Sequence, residues 1–150
     1  MSSGQFAFRQ KVYFQHCDPA GIVFYPRYFE MINVTVEEWF AERLGVTFEA
    51  LHGSMDAAVP TVSMSIDFHA PSKHGDMLEF RLKPTRIGRS SLELAIEAYC
   101  GPEKRLSLKS TLVFTGAGAD RAKSWPAGIR ERISHELNGS VKDDAQDHSA

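Results

Sequence analysis

Cysteine is nearly absent from this chain of 150 residues: only Cys17 and Cys100 occur. Two thiols cannot build a disulfide framework, and these follow no paired metal-ligand spacing, so reduced thiols in a cytoplasmic protein are the expectation. Long apolar runs are missing too. No stretch approaches the roughly 20 apolar residues a membrane-spanning helix needs, and the opening MSSGQFAFRQ has neither the basic start nor the apolar run of a signal peptide. Nor is there an excess of positive charge. With 17 basic against 19 acidic residues the net charge is −2, which gives no general field to hold a phosphate backbone. Neither nucleic acid nor a membrane is therefore expected as a partner. No internal repeat and no linker divides the chain, and its length suits one domain with one core.

What the sequence does contain is periodicity of two kinds. Tyr28, Ile32, Val36, Phe40 and Leu44 recur every four residues, with Trp39 beside them and Glu30, Asn33, Glu37, Glu38 and Glu42 elsewhere. That stripe predicts a long amphipathic helix. Pro26 falls in its first turn, where a missing N–H costs little, and Gly45 falls where a left-handed cap is wanted.

Most of the remainder alternates with a period of two, as half-buried antiparallel strands do. Phe6 to Gln15 forms one such run, and Val62, Met64, Ile66 and Phe68 form another. Leu78, Phe80 and Leu82 follow, then Leu92, Leu94 and Ile96, and finally Leu106, Leu108 and Leu112. Turn chemistry at Pro71 and Gly75, at Gly88, and at Gly101-Pro102 predicts that the last four runs make a meander of hairpins. The order of strand, long helix and four strands predicts an α+β fold, one sheet wrapped on one helix. Ile129, Ile133 and Leu137 predict a short C-terminal helix that completes a domain over residues 1–138, and the polar run 139–150 is expected to be a disordered tail.

Chemistry concentrates between the first strand and the helix, in His16-Cys17-Asp18-Pro19-Ala20-Gly21-Ile22-Val23-Phe24-Tyr25-Pro26. A helix N-terminus leaves backbone N–H groups unpaired and carries partial positive charge, so it can polarise a carbonyl and hold the oxyanion formed on attack. A carboxylate across that carbonyl can attack it or activate water. Spacing alone leaves two readings of Asp18 open, catalyst or turn residue, because Asp-Pro and Ala-Gly are also common loop signals. Phe24, Tyr25 and Tyr28 are equally at home in a core.

The segment HCDPAGIVFYPRYF resembles the signature of the 4-hydroxybenzoyl-CoA thioesterase family of hotdog-fold proteins. The resemblance extends, through the order of strands and helix, from Phe6 to about Thr115. It implies a five-stranded antiparallel sheet around one long central helix and hydrolysis of an aromatic or short- to medium-chain acyl-CoA. It implies Asp18 as nucleophile or general base, with the Tyr25 amide meeting the thioester oxygen. Gly21 and Phe24 of the same segment join the residues expected at the substrate. The resemblance further implies a site at a subunit interface, in a homodimer or a homotetramer. The strand Thr61 to Phe68 of a neighbour would line the acyl group, with Ser65 as a polar contact, and Arg89, Ser90 and Ser91 would meet the coenzyme A nucleotide. No metal and no separate cofactor are expected, because an activated water and a preorganised dipole are sufficient for an activated thioester.

Other assignments compete with this one. In another hotdog thioesterase lineage a glutamate on the central helix performs the chemistry, and Glu37 or Glu38 would then be the candidate here. An acyl-thioester hydratase or dehydratase would need His16 or His69 beside an acid. A non-enzymatic acyl-CoA-binding module would need neither. His16 stands where the aromatic thioesterase pattern more often has an acid, and Cys17 has no base partner in the sequence. His69 and His74 suit no metal spacing.

Overall fold

The computed structural model describes residues 4–116, 118 and 121–149, with side chains described as far as residue 139. Strand β1 (Phe6–Lys11) leads through a single 3-10 turn (Phe14–His16) and a loop into helix α1 (Pro26–Trp39). Helix α2 (Phe48–His52) and the short strand β2 (Ala57–Ala58) follow. Then come β3 (Thr61–Phe68), β4 (Met77–Ile87), β5 (Ser91–Cys100), β6 (Glu103–Val113), β7 (Thr115–Gly116) and α3 (Ala127–Ser149). One antiparallel sheet has the order β1-β4-β5-β6-β3, and β2 pairs separately with β7.

The predicted apolar stripe is the face that α1 buries. Tyr28, Met31, Ile32, Val36 and Trp39 are buried along the helix, and Phe40 and Leu44 continue the row. A strict spacing of four drifts by about 40° per step around a helix of 3.6 residues per turn. Here residues Phe40–Leu44 form a π turn, whose wider winding counters that drift and returns Leu44 to the core. Gly45 then ends the helix at φ 73°, the left-handed conformation expected of it. The fully buried hydroxyl of Thr35 is satisfied by donating to Met31 O at 2.8 Å.

The inner face of the sheet meets this helix with Leu78, Phe80 and Leu82 of β4, Leu92, Leu94, Ile96 and Ala98 of β5, and Leu106, Leu108 and Leu112 of β6, all buried. A five-stranded antiparallel sheet around one long helix is the hotdog arrangement. At the far side α3 packs Ile129 and Ile133 into the same core. Trp125, just before it, stacks on Phe114 with ring centroids 5.1 Å apart and donates Nε1–H to Ser91 O. The expected tail, apart from its first residue Gly139, falls on residues whose side chains lie outside those described.

The meander needs correction. It holds from β4 to β6, but β3 lies at the opposite edge, beside β6, with Ser65 across from Lys109 and Ile66 across from Leu108. Pro71 and Gly75 therefore mark no hairpin; residues 69–76 cross the end of the sheet from one edge toward the other. Alternation dictates which face a side chain takes, and it carries no information about which strand is its neighbour. A consequence is that Val62 and Phe68 of edge strand β3 stay exposed in a single chain, at 60% and 48%. No described helix is long and apolar enough to cross a membrane.

Candidate active site

Two interlocked bonds shape the loop ahead of α1. Phe24 N–H donates to His16 O at 2.9 Å, and Val23 pairs with Cys17. Inside that closure, Asp18 N–H donates to Ile22 O and Gly21 N–H donates to Asp18 O, each at 2.9 Å. Gly21 sits at φ 81°, and an added Cβ would meet nothing within 4 Å. Its requirement is thus conformational: a left-handed backbone that other residues adopt only at a cost.

The Asp18 carboxylate is held by one oxygen and open at the other. Ala20 N–H donates to Oδ1 at 2.9 Å, while Oδ2 has no protein partner among the described residues. At the helix start, Arg27 N–H donates to Phe24 O and Tyr28 N–H to Tyr25 O, and Pro26 has no N–H. That accounting leaves the Tyr25 N–H without an acceptor among the described residues. One loop therefore presents a free carboxylate oxygen and a free amide at the positive end of a 14-residue helix.

Beside Tyr25 lies a cavity of about 300 Å³, with Ile22, Val23, Tyr25 and Tyr28 on one side and Phe68, His69, Ala70 and Pro71 on the other. Phe68 stacks against both tyrosines, at 6.3 Å from Tyr25 and 5.6 Å from Tyr28. Phe24 and Tyr25 expose about half or more of their surface, so neither is the core residue that composition alone allowed; Tyr28 is. Phe68 was expected here only as part of a neighbouring subunit's strand and Pro71 only as a turn residue; within one chain both reach the cavity, Phe68 at the end of β3 and Pro71 in the crossing segment that follows it.

His16 is buried, and its Nδ1 accepts from Tyr13 N–H at 2.9 Å, which places the ring hydrogen on Nε2. Burial lowers its pKa from the ordinary histidine value, the charge of Arg27 lowers it further, and Glu30 opposes. The ring is therefore a neutral prop at the base of the loop. Cys17 is half-buried and its thiol contacts Tyr13 O at 3.6 Å. His69 Nε2 is 2.9 Å from Ser107 Oγ, and His74 stacks near Phe14. No group of three potential metal ligands occurs among the described residues.

Four expected contacts are placed apart from Asp18 within one chain. Ser65 faces the outside of the sheet, bordering a shallow cavity with Asp67, Glu97 and Lys109, while its neighbour Met64 takes the inner face. Arg89, Ser90 and Ser91 lie at the β4–β5 hairpin. Met77, at the start of β4, pairs with Lys11 near the Asp18 loop, and Ile87, at its end, pairs with Leu92 beside the hairpin. Eleven residues of strand separate the two sites by roughly 30 Å at about 3.3 Å per residue. The hairpin itself is firmly built: Trp125 N–H donates to Arg89 O, Phe114 N–H to Ser90 O, and Arg130 Nη1 to Gly88 O. Arg89 remains exposed beside Arg86.

Of the rival acids, Glu38 is exposed on α1, whereas Glu37 borders a second cavity of about 230 Å³ with Asn33, Met64 and Ser110.

The family model described as Thioesterase superfamily matches residues 20–107, and the chain belongs to that superfamily. The match begins two residues beyond Asp18. Among curated proteins, a 1,4-dihydroxy-2-naphthoyl-CoA hydrolase of Synechocystis sp. is 31% identical over 83 residues, 55% of this chain and 59% of that protein. A second hydrolase of the same name, from Crocosphaera subtropica, is 24% identical over 61% of this chain and 66% of its own length. The chain thus spans less than two thirds of these two relatives. Among solved structures, a thioesterase superfamily protein from Jannaschia sp. superposes with a TM-score of 0.82 at 22% identity, covering 89% of this chain and 93% of that one. The 1,4-dihydroxy-2-naphthoyl-CoA thioesterase from Synechocystis gives 0.79 at 22%, covering 87% and 96%. A gentisyl-coenzyme A thioesterase gives 0.76 at 22%, covering 86% and 99%. These likenesses establish the hotdog fold.

Proposed function

We propose that the protein hydrolyses an acyl-CoA thioester with an aromatic acyl group, releasing the free acid and coenzyme A. The observation that carries this reading is the pairing, in one loop, of the unengaged Asp18 Oδ2 with the unengaged Tyr25 N–H. The carbonyl oxygen accepts from that N–H and faces the helix dipole, while Asp18 attacks the carbonyl carbon or takes a proton from the attacking water. Collapse of the tetrahedral adduct breaks the C–S bond and the thiolate of coenzyme A leaves; on the water route this gives the free acid directly, and on the nucleophilic route water then hydrolyses the acyl–Asp18 anhydride to the free acid and regenerates the carboxylate. Phe68, Tyr25 and Tyr28 give the adjacent cavity aromatic walls. Relatives and a fold neighbour bear names of dihydroxynaphthoyl-CoA and gentisyl-CoA hydrolases, and a 4-hydroxybenzoyl group is a smaller member of that chemical class.

The reading includes a homodimer, which can pair again into a tetramer. The unpaired edge of β3 with its exposed Val62 and Phe68 needs cover, and a two-fold partner would bring a second hairpin 88–91 toward the Asp18 loop. Thiol release from a panel of acyl-CoA esters is the deciding test. Asp18→Asn is expected to lower kcat roughly 10²- to 10⁴-fold. Near-normal turnover in that variant would defeat the assignment. Glu37 provides the second reading because it borders a cavity, and loss of turnover in Glu37→Gln with Asp18→Asn unaffected would establish it. Conversion of an enoyl thioester to a hydrated product without thiol release would favour a hydratase, and binding without either reaction a carrier.

A further inference from the structure

The Asp18 loop is held from outside as well as from within. Val23 N–H donates to Ser72 O at 2.8 Å, and Ile22 pairs with Lys73. The loop therefore leans on residues 71–76, a segment of irregular backbone crossing the end of the sheet. Irregular backbone is the element most prone to local opening, so something must fix it where a reacting geometry depends on it.

Arg105, near the start of β6, converges on that segment. Its Nη1 donates to Pro71 O and Ser72 Oγ at 3.1 Å and to Asp76 Oδ2 at 2.8 Å. Asp76 Oδ2 also accepts from Lys73 N–H at 2.9 Å. The main chain of Arg105 takes part as well, because His69 N–H and Ala70 N–H both donate to its carbonyl. Ser72 is fully buried, and the Arg105 side chain keeps about 11% of its surface exposed. The far side of the turn is tied to β1's extension, where Val12 N–H donates to Asp76 O and Gly75 N–H to Val12 O.

We propose that Arg105 is a positioning residue for the reaction: its guanidinium, anchored by Asp76, locks the 71–76 turn, and through Ser72 O and Lys73 that turn sets Ile22 and Val23, hence Asp18 and the Tyr25 amide. The claim that this affects turnover rests on the thioesterase reading; the claim that it fixes the loop does not. A planar guanidinium presents several donors in fixed directions, whereas an ammonium is a point charge that cannot reproduce them. The Asp76 carboxyl is held below its ordinary pKa first by the Arg105 hydrogen bond and then by Lys73 N–H, so the anchor stays charged at neutral pH. Neither Arg105 nor Asp76 lines the cavity beside Tyr25, which separates positioning from substrate contact.

The test compares Arg105→Gln and Arg105→Lys with Arg43→Gln. Arg43 is as deeply seated, at about 10% side-chain exposure, but binds Glu136 and Gly4 O near α3. Amide hydrogen exchange across residues 17–25 and steady-state kinetics with the best acyl-CoA substrate are the two readouts. Arg105→Gln is expected to speed exchange across 17–25 and to lower kcat roughly 10- to 100-fold with KM changed less than about threefold. Arg43→Gln is expected to lower Tm while leaving exchange in that loop and kcat as in the wild type. If Arg105→Gln does not fold, Arg105→Lys carries the test and should show the same loss in smaller measure. Unchanged exchange across 17–25 in the folded variant overturns the latch, as does an equal effect of Arg43→Gln. A wild-type protein that hydrolyses no acyl-CoA would sink the thioesterase reading while the exchange comparison still decides the latch.

Discussion

Phe24 donates its backbone N–H to the carbonyl of His16 at 2.9 Å, so the loop carrying Asp18 is closed by its own two flanks. That bond consumes the amide just ahead of Tyr25 and leaves the next one open. The helix start consequently offers one unengaged donor at this point, with Pro26 contributing none.

Tyr25 has φ −54°, close to the value proline imposes, so Tyr25→Pro removes the N–H with little demand on that residue's own backbone. Losing an oxyanion donor costs roughly 10²- to 10³-fold in kcat. Tyr25→Ala, which keeps the amide and loses the ring, is expected to retain most of kcat and to raise KM. Equal kcat in the two variants would remove the amide from the mechanism.

His16 has a pKa below its unfolded value. Its contribution to stability is therefore fully present above about pH 6.5 and is lost as pH falls through the lower folded value. Tm measured from pH 8 down to pH 5 should decline more steeply in the wild type than in His16→Asn. The charge of Arg27 opposes protonation of the ring and that of Glu30 favours it, so Glu30→Gln should lower the pKa of His16 further.

Val62 exposes 60% of its surface on the unpaired edge of β3. Val62→Asp would place a charge in any sheet continued across that edge. Light scattering is expected to find a dimer for the wild type and a monomer for the variant. KM for acyl-CoA should rise about tenfold or more as charge-assisted contacts from the second hairpin are lost. A fully active wild-type monomer would rule out the shared site.

Phe40 is fully buried in the π turn, with ring centroids 5.5 Å from Trp39 and 5.4 Å from Phe48. Phe40→Ala should cost about 3–5 kcal/mol in urea unfolding. A loss near 1 kcal/mol would show that the turn relaxes to an ordinary helix and fills the space.

The helix was legible in the sequence because a single stripe from Tyr28 to Leu44 has one burial solution and Gly45 has one conformation. The inward rows of β4, β5 and β6 were legible for the same reason. The place of β3 was not, since its alternation fits either edge of the sheet. Asp18 and Tyr25 stood out because they are local to one another and to the helix start. Arg105 did not, because beyond its ion pair with Glu103 two residues away, its other side-chain acceptors lie 29 to 34 residues away and nothing in its immediate neighbours marks them.

Trp39 and Trp125 are the only two tryptophans, and both are buried, yet they report on different parts of the molecule. Trp39 Nε1 has no hydrogen-bond partner among the described residues, so its indole sits in a dry environment that blue-shifts emission. Trp125 donates to Ser91 and stacks on Phe114 just before α3. Intrinsic fluorescence of Trp125→Phe and Trp39→Phe variants thus gives each half of the fold its own optical signal, separating release of α3 from melting of the helix–sheet core.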